Sequence, residues 1–447
     1  MSEIIALFSI LNLSISKTAI RQLCQVVLAL LAMTGRVSML NISRWTSKGG
    51  SYRTIQRFFN TVLPWSAMCW AFFRTHLLDP DSVHILVGDE VVRNKDGKCT
   101  YGLSRFFSSL HGKSIPGLSF LAISLVSVPR RRSYPMTIEQ IVRETPSNPG
   151  ASPTEKSDNT QTKQSKRGRP KGSRNKNKRD VVLSDTLKQL QTMLKEVLHL
   201  IDNLIPIRYF VLDGYFGNNN ALQMVHQCGL HLISKLRTDA ALYLPPTTSY
   251  KRGRPAIYGE RIHPHKIDEK NAVWTQTVDN LRTDVYQMEL RHKKFPDPLN
   301  VVCIKKTNLS TKQQAHVLLF SSDLALDAEK MIDYYSLRFQ IEFNFRDAKQ
   351  HWGLQGFMNV HKTPVNNAAN LSMFMVNVSA KLMEKNRCQN PEYSVLDLKS
   401  HYRGLKYVQE VLKILPQKPE PIVIQQIIGR LSSIGAIHNT QANLNPG

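Results

Sequence analysis

The sequence predicts an α/β protein: a mixed sheet with a parallel part, flanked by helices, interrupted by an inserted β block and preceded by a helical N-terminal region. Three observations carry this. Apolar residues recur at helical spacing through residues 1–80. Residues 184–237 run helix, strand, helix, strand. Residues 240–325 hold strand-like runs separated by polar or proline-containing breaks. The composition is globular, with 42% apolar and 21% charged residues, which excludes wholesale disorder. Against 34 Asp and Glu stand 59 Lys and Arg, a net charge of +25. Such a surface attracts polyanions, nucleic acid first and an anionic membrane face second.

The elements follow in order. Ile20, Leu23, Cys24, Val27, Leu28 and Leu31 mark one N-terminal helix. A second amphipathic piece spans 51–59, with Arg53 and Arg57 four apart beside Tyr52, Phe58 and Phe59. It is either a solvated basic face or a helix that touches DNA phosphates. Val83-His-Ile-Leu-Val87 reads as a strand ending in Gly88-Asp89-Glu90, and residues 117–128 read as its neighbour. Residues 145–180 have almost no large apolar residue, and 163–179 are basic without an acid, so this segment is expected to be a disordered insert. Its Lys166-Arg167-Gly-Arg169-Pro stretch recurs at Lys251-Arg252-Gly-Arg254-Pro. Such a stretch suits a narrow A·T-rich minor groove or generic phosphate contact.

Residues 184–204 form an amphipathic helix. Residues 207–212 form a buried strand that ends in Asp213-Gly-Tyr-Phe. A short helix and a strand ending near Lys235 and Arg237 come next, and these two cations either meet phosphates or cap a solvated strand end. Runs at 284–291, 299–305 and 315–320 make up the β block. Helical pattern returns at 327–349 and 366–385, and the tail after Pro419 reads as a peripheral helix.

The apolar runs at 26–33 and 117–128 fall short of the roughly 18–20 residues a membrane span needs. The N-terminus lacks the basic and small-residue signals of export. Six scattered cysteines, with no Cys-x-x-Cys pair, read as reduced and mostly buried thiols. The expectation is a cytoplasmic protein.

The chemistry concentrates in Tyr335-Ser-Leu-Arg338-Phe-Gln-Ile-Glu342 and Lys349. At about 100° per residue these four side chains share a stripe about 60° wide. The stripe either holds a metal through Glu342 and phosphates through the rest, or is a salt-bridged surface built on an Arg338–Glu342 pair. Asp347 lies off the stripe.

This Tyr-x2-Arg-x3-Glu-x6-Lys pattern resembles the signature of bacterial insertion-sequence transposases of the DDE class, in the IS-four-like group, and all four positions match. Asp213-Gly-Tyr-Phe and Asp89 resemble the same group's first two acids. The resemblance covers roughly 83–385. It implies an RNase H-like mixed sheet core with helices, interrupted by an inserted β domain and preceded by a helical N-terminal domain. The corresponding boundaries are 1–80, a core in two parts at 81–239 and 326–390, the β domain at 240–325, and a C-terminal helical region at 391–447.

The resemblance further implies that Asp89, Asp213 and Glu342 are catalytic and bind two Mg2+ ions, with Mn2+ able to substitute. Hard carboxylate oxygens suit such ions. Glu90 is a rival to Asp89, but strand alternation sends neighbours to opposite faces, so one of the two enters the site. Tyr335, Arg338 and Lys349 would grip backbone phosphates. Trp274 reads first as a strand or core tryptophan. An aromatic in this block stacks on a flipped base in the hairpin-forming members of the group. The implied function is cut-and-paste transposition. A homodimer would bind double-stranded DNA, both element ends and target, as a nucleoid-associated bacterial protein without a membrane partner. Two alternatives stand: an RNase H-like endonuclease without strand transfer, and a domesticated DNA-binding protein without catalysis.

Overall fold

The computed structural model describes residues 2–46, 49–95, 97–108, 112–143, 177–246, 256–417 and 419–438. Lys166, Arg167, Arg169, Arg252 and Arg254 lie outside the described residues, as does the expected basic insert up to residue 176. The end of that insert is held in place. Lys178 Nζ donates to the Phe295 carbonyl at 3.2 Å, and Arg179 pairs with Asp297 at 2.7 Å.

Five helices open the chain: α1 (Ser2–Phe8), α2 (Lys17–Ala32), α3 (Met39–Trp45), α4 (Tyr52–Asn60) and α5 (Trp65–His76). Serine side chains start three of them. Ser16, Ser38 and Ser51 accept from the backbone N–H three residues on, which satisfies a donor the helix cannot use. These helices share one apolar core with the sheet.

The sheet begins with β1 (His84–Asn94), β2 (Ser104–Ser108), β3 (Lys113–Ser127) and β4 (Arg132–Ile141). Helix α6 (Asp185–Ile201) follows, then β5 (Tyr209–Val211), α7 (Asn219–His226) and β6 (His231–Leu236). Helix α6 is N-capped by Ser184 and ends at Asp202 and Asn203, both in left-handed backbone at φ 44° and 58°. Strands β4, β3 and β1 pair antiparallel, and β1, β5 and β6 pair parallel. Three antiparallel strands followed by two parallel ones form the mixed core that the resemblance implied, and the α/β class stands.

Four details differ from the sequence reading. Strand β1 does not end at Asp89 but runs to Asn94, because Val91 and Val92 continue the ladder against β3. Strands β2 and β4 were not read at all. Strand β4 carries Pro135, which argues against a central strand. It is tolerated here because β4 lies at the border of the sheet, with a bulge between the pairs Ser124–Pro135 and Ile123–Thr137.

The β block also differs. It comprises β7 (Leu242–Tyr243), β8 (Arg261–Ile262), β9 (Trp274–Val278), β10 (Leu281–His292), β11 (Leu299–Asn308) and β12 (Gln314–Ser321). It is no detached sheet, since β12 pairs antiparallel with β6 and the order continues through β11, β10, β7 and β8.

The last difference is the helix expected from 327 to 349, which is two: α8 (Ala328–Leu337) and α9 (Gln340–His351). Between them the chain tightens. The N–H groups of Arg338, Phe339, Ile341 and Glu342 each reach back three residues rather than four. No proline or glycine marks this break.

Helices α10 (Lys362–Gln389), α11 (Val395–Ile414) and α12 (Pro421–Ser432) complete the chain. A row of buried asparagines fixes α10. Asn370 and Asn377 donate to the carbonyls of Ile138 and Pro135 on β4, so the helix satisfies strand carbonyls at the border of the sheet. Asn367 donates to Phe59 and Thr61 and accepts from Trp65 Nε1 at 2.7 Å. Among the described residues, no helix is long and apolar enough to cross a membrane. All six cysteines are free, with Cys24, Cys69 and Cys303 buried.

Candidate active site

The parallel register of β1 and β5 brings the first two acids together. Val87 pairs with Val211. Two residues further along each chain stand Asp89, still within β1, and Asp213, just past the end of β5. Gly88 makes the approach possible, since a Cβ there would lie 2.8 Å from both Leu212 and Phe210 side chains.

Just past β5, Asp213 caps a short 3-10 turn, its Oδ1 accepting from Tyr215 N at 3.1 Å. Its carbonyl accepts from the Ser234 hydroxyl on β6 at 2.7 Å. Gly217 closes the loop so tightly that a Cβ would fall 2.1 Å from the Lys235 carbonyl oxygen. Lys235 is half-buried and backs this loop.

Helix α9 delivers the third acid. Its inner face buries Ile341, Asn344, Phe345 and Ala348. Asn344 is polar in an otherwise apolar stripe, and its amide donates to Ser133 at 2.7 Å and Ser124 at 3.2 Å. These bonds fix the helix against β3 and β4. Arg338, in the tightened turn before α9, then joins two acids: Nη1 donates to Asp89 at 3.0 Å and Nη2 to Glu342 at 3.1 Å. Glu90 points the other way and accepts from the Ser119 hydroxyl on β3.

The electrostatics follow from this packing. Asp89 and Arg338 side chains are only 17% exposed, whereas Glu342 is 41% exposed. Burial pushes the Asp89 carboxyl from 3.8 up to about 6. Arg338 and the Glu90 N–H oppose this, while Asp213 and Glu342 add to it by like-charge repulsion. Burial works against the Arg338 charge, but Asp89, Tyr335 and Glu342 outweigh it and hold the guanidinium above its usual value. Burial raises the Tyr335 phenol, and the nearby Asp213 and Asp89 charges raise it further. The structure thus brings Asp89, Asp213, Glu342, Arg338 and Tyr335 into one electrostatic neighbourhood.

The carboxylates themselves are not gathered onto a common point. Among the described residues, no group of three His, Cys, Asp or Glu side chains is close enough to hold a metal ion. Arg338 is the cation that Asp89 and Glu342 share. The fit to a divalent ion is one of chemistry. The donors are carboxylate oxygens only, and ionised Asp89 is poorly accommodated with Arg338 as its one neutralising partner. Glu342 is the most exposed member of the Asp89, Arg338 and Glu342 cluster.

The other sequence candidates lie elsewhere. Lys349 is not with the acids. It lines a separate cavity, where burial and the Arg93 charge lower its pKa. Arg53 and Arg57 project into solvent from α4, opposite the buried Ile55, Phe58 and Phe59. Arg237 is exposed and paired with Asp239 through two bonds of 3.0 and 3.2 Å. Trp274 starts β9, packed against the core, with its buried Nε1 lacking a hydrogen-bond partner.

Sequence reasoning missed the positioning residue Asn344, which is 4% exposed. The signal for Asn344 was present: it sits in the Ile341, Phe345, Ala348 stripe, where a polar residue needs buried partners.

A family model described as DDE superfamily endonuclease matches residues 7–293. The chain belongs to the DDE superfamily of endonucleases. No curated protein matches it. The DDE match includes Asp89 and Asp213 and stops short of Glu342. The place of Glu342 in this DDE protein therefore rests on the geometry, through its shared partner Arg338.

Proposed function

We propose that this DDE endonuclease is a transposase of the IS-four-like group. It would cut phosphodiester bonds at the ends of a DNA element and join the freed 3′-hydroxyl to target DNA. The observation that carries the reading is the meeting of Asp89 and Glu342 on Arg338, with Asp213 brought alongside by the parallel register. The complete Tyr335, Arg338, Glu342, Lys349 pattern adds to it. The substrate is double-stranded DNA, and the net charge of +25 supplies the attraction.

Asp89, Asp213 and Glu342 would hold divalent ions, Mg2+ or Mn2+, which when bound supply activation of the attacking oxygen and stabilisation of the leaving one. In hydrolysis, water oxygen bonds to phosphorus, the bond to the 3′-oxygen breaks, and that oxygen takes up a proton. The cut strand is left with a 3′-hydroxyl on one side of the break and a 5′-phosphate on the other. Asp89 stands within β1 and Asp213 in the turn just past its parallel partner β5, so the sheet and that turn set their separation. Arg338, once its carboxylates are otherwise neutralised, is free to pair with a phosphate oxygen, and Tyr335 offers its hydroxyl beside it.

The test is excision in vitro from a plasmid carrying the element's terminal inverted repeats. Wild type should cut with Mg2+, and Glu342→Gln should not. Cutting by Glu342→Gln would remove the basis of the reading. An endonuclease without strand transfer is the second reading, supported by the membership of the DDE endonuclease superfamily. Pre-cleaved 3′-hydroxyl ends separate the two: joined product supports transposition, and its absence supports simple cleavage. Metal-independent binding with no nicking under any divalent ion would leave a DNA-binding protein without catalysis.

A further inference from the structure

Beyond the acids, the end of α9 forms part of a cavity of about 380 Å3. The α2–α3 connection, the chain after α9, and α11 supply the rest. Its lining includes Arg36, Lys349, His351, Lys399 and Arg403, and no carboxylate. The one acid acting on His351 is Asp347, whose carboxylate is already bonded to Arg346.

Several cations here are fixed in place. Arg36 Nε donates to the Gly356 carbonyl at 2.8 Å, and Arg403 Nε to the Ala32 carbonyl at 3.2 Å. Lys399 is 9% exposed, lies 5.0 Å from the Trp352 ring centroid and donates to the Leu30 and His351 carbonyls. Those bonds use two of its three donors.

Arg93 lies outside the lining but acts electrostatically on Arg36 and Lys349. Arg93 is 6% exposed, its guanidinium 4.8 Å from the Phe357 ring centroid, and its buried Nη1 has no hydrogen-bond partner. Burial and the Arg36 charge bring Arg93 down to about 10. Burial and Arg93 lower Lys349, and burial and Arg403 bring Lys399 down to about 8. Three segments, the α2–α3 connection, the end of α9, and α11, therefore crowd positive charge around a hollow with no carboxylate in its lining. Desolvated like charges are tolerated only where a counter-ion relieves them.

We propose that this cavity takes the terminal 5′-phosphate of a DNA strand, with Arg36, Lys349, Lys399 and Arg403 as its partners. The proposal deepens the function above and rests on it for the source of the ligand, since hydrolysis leaves such an end. The volume is that of a small ligand. A terminal phosphate carries up to two negative charges near neutral pH, against one on an internal phosphodiester, and so matches a cluster of cations better. Lys349 lies seven residues beyond Glu342, about 10 Å along the helix axis, or about three base steps of a strand. One DNA end can reach both places.

The test uses the full chain, without divalent metal, and one single-stranded oligonucleotide carrying either a 5′-phosphate or a 5′-hydroxyl. Wild type should bind the phosphorylated form about tenfold more tightly, the effect of one or more charge-assisted hydrogen bonds. Arg36→Gln and Arg403→Gln should bring the ratio close to one, while thermal melting shows that both remain folded. Glu342→Gln should keep the full preference. Inorganic phosphate should compete away the preference and leave the remaining binding intact. A ratio of one in wild type, or a ratio unchanged in both arginine variants, overturns the proposal. So does stabilisation by inorganic phosphate without any preference for phosphorylated DNA, which marks a site for the free ion. If wild type shows the preference but cuts nothing under any metal, the function above fails and the cavity stands.

Discussion

Replacing Asp89 by Asn should make the metal-free protein more stable at pH 8. The carboxyl is raised from 3.8 to about 6, so the folded chain binds its proton more tightly than the unfolded chain does. The penalty for ionising it is absent below about pH 4, grows between about pH 4 and 6, and is complete above that. Roughly two decades of proton affinity at about 1.4 kcal/mol each give about 3 kcal/mol. That net figure already contains the attraction of Arg338. Asn would leave Arg338 with Glu342 alone, which takes back part of the gain, so about 1–2 kcal/mol should appear.

Urea unfolding at pH 8 and at pH 5 in chelator measures this, and the advantage of Asp89→Asn should shrink at the lower pH. Adding Mg2+ at ten times its dissociation constant should stabilise wild type by about 1.4 kcal/mol and the variant far less. Equal stability of the two proteins at pH 8 without metal would refute the desolvation argument. Equal stabilisation of both by Mg2+ would refute the assignment of Asp89 to the metal.

Four other outcomes follow from the same geometry. Arg338→Gln in chelator should lower stability at pH 7 by about 3 kcal/mol and push Asp89 above 6, read by NMR titration of the carboxyl. Asn344→Leu should cost about 2 kcal/mol in a denaturant melt and reduce cleavage more than DNA binding, because α9 loses its bonds to Ser124 and Ser133. Gly217→Ala should reduce cleavage, since its Cβ forces the Asp213 loop away from the Lys235 carbonyl; unchanged cleavage would show that the loop position is irrelevant. DNA affinity should fall about a thousandfold or more between about 50 and 200 mM salt if six or more phosphates are contacted, and a flat titration would contradict the charge argument.

Much of the fold was legible because local pattern and tertiary packing agree. Leu187, Leu190, Leu194, Val197 and Ile201 recur at helical spacing and are all buried in α6, and Ser184 caps it. The strand before Asp213 was legible from its apolar run, though it is shorter than read. What failed was local pattern overridden by neighbours. Strand β1 runs past Asp89 because β3 pairs with it to Asn94. Strand β4 hid behind an arginine run and Pro135, which only a border position tolerates. The break at Arg338–Phe339 has no breaker residue, so the single straight helix assumed for the stripe is two, and Lys349, about 10 Å along α9 from Glu342, lines a hollow with Arg36 and Lys399 rather than joining the acids.

The sequence by itself determined the charge balance, the chemical types at Asp89, Asp213 and Glu342, and the spacing from Tyr335 to Lys349. Those are properties of a string, and period and composition suffice to read them. Only the tertiary structure decided that Arg338 bonds a carboxylate 249 positions away, that burial raises Asp89, and that Arg36, Lys349 and Arg403 share a hollow. Proximity and desolvation arise when distant segments exclude water between them, and neither is written in any local stretch of chain.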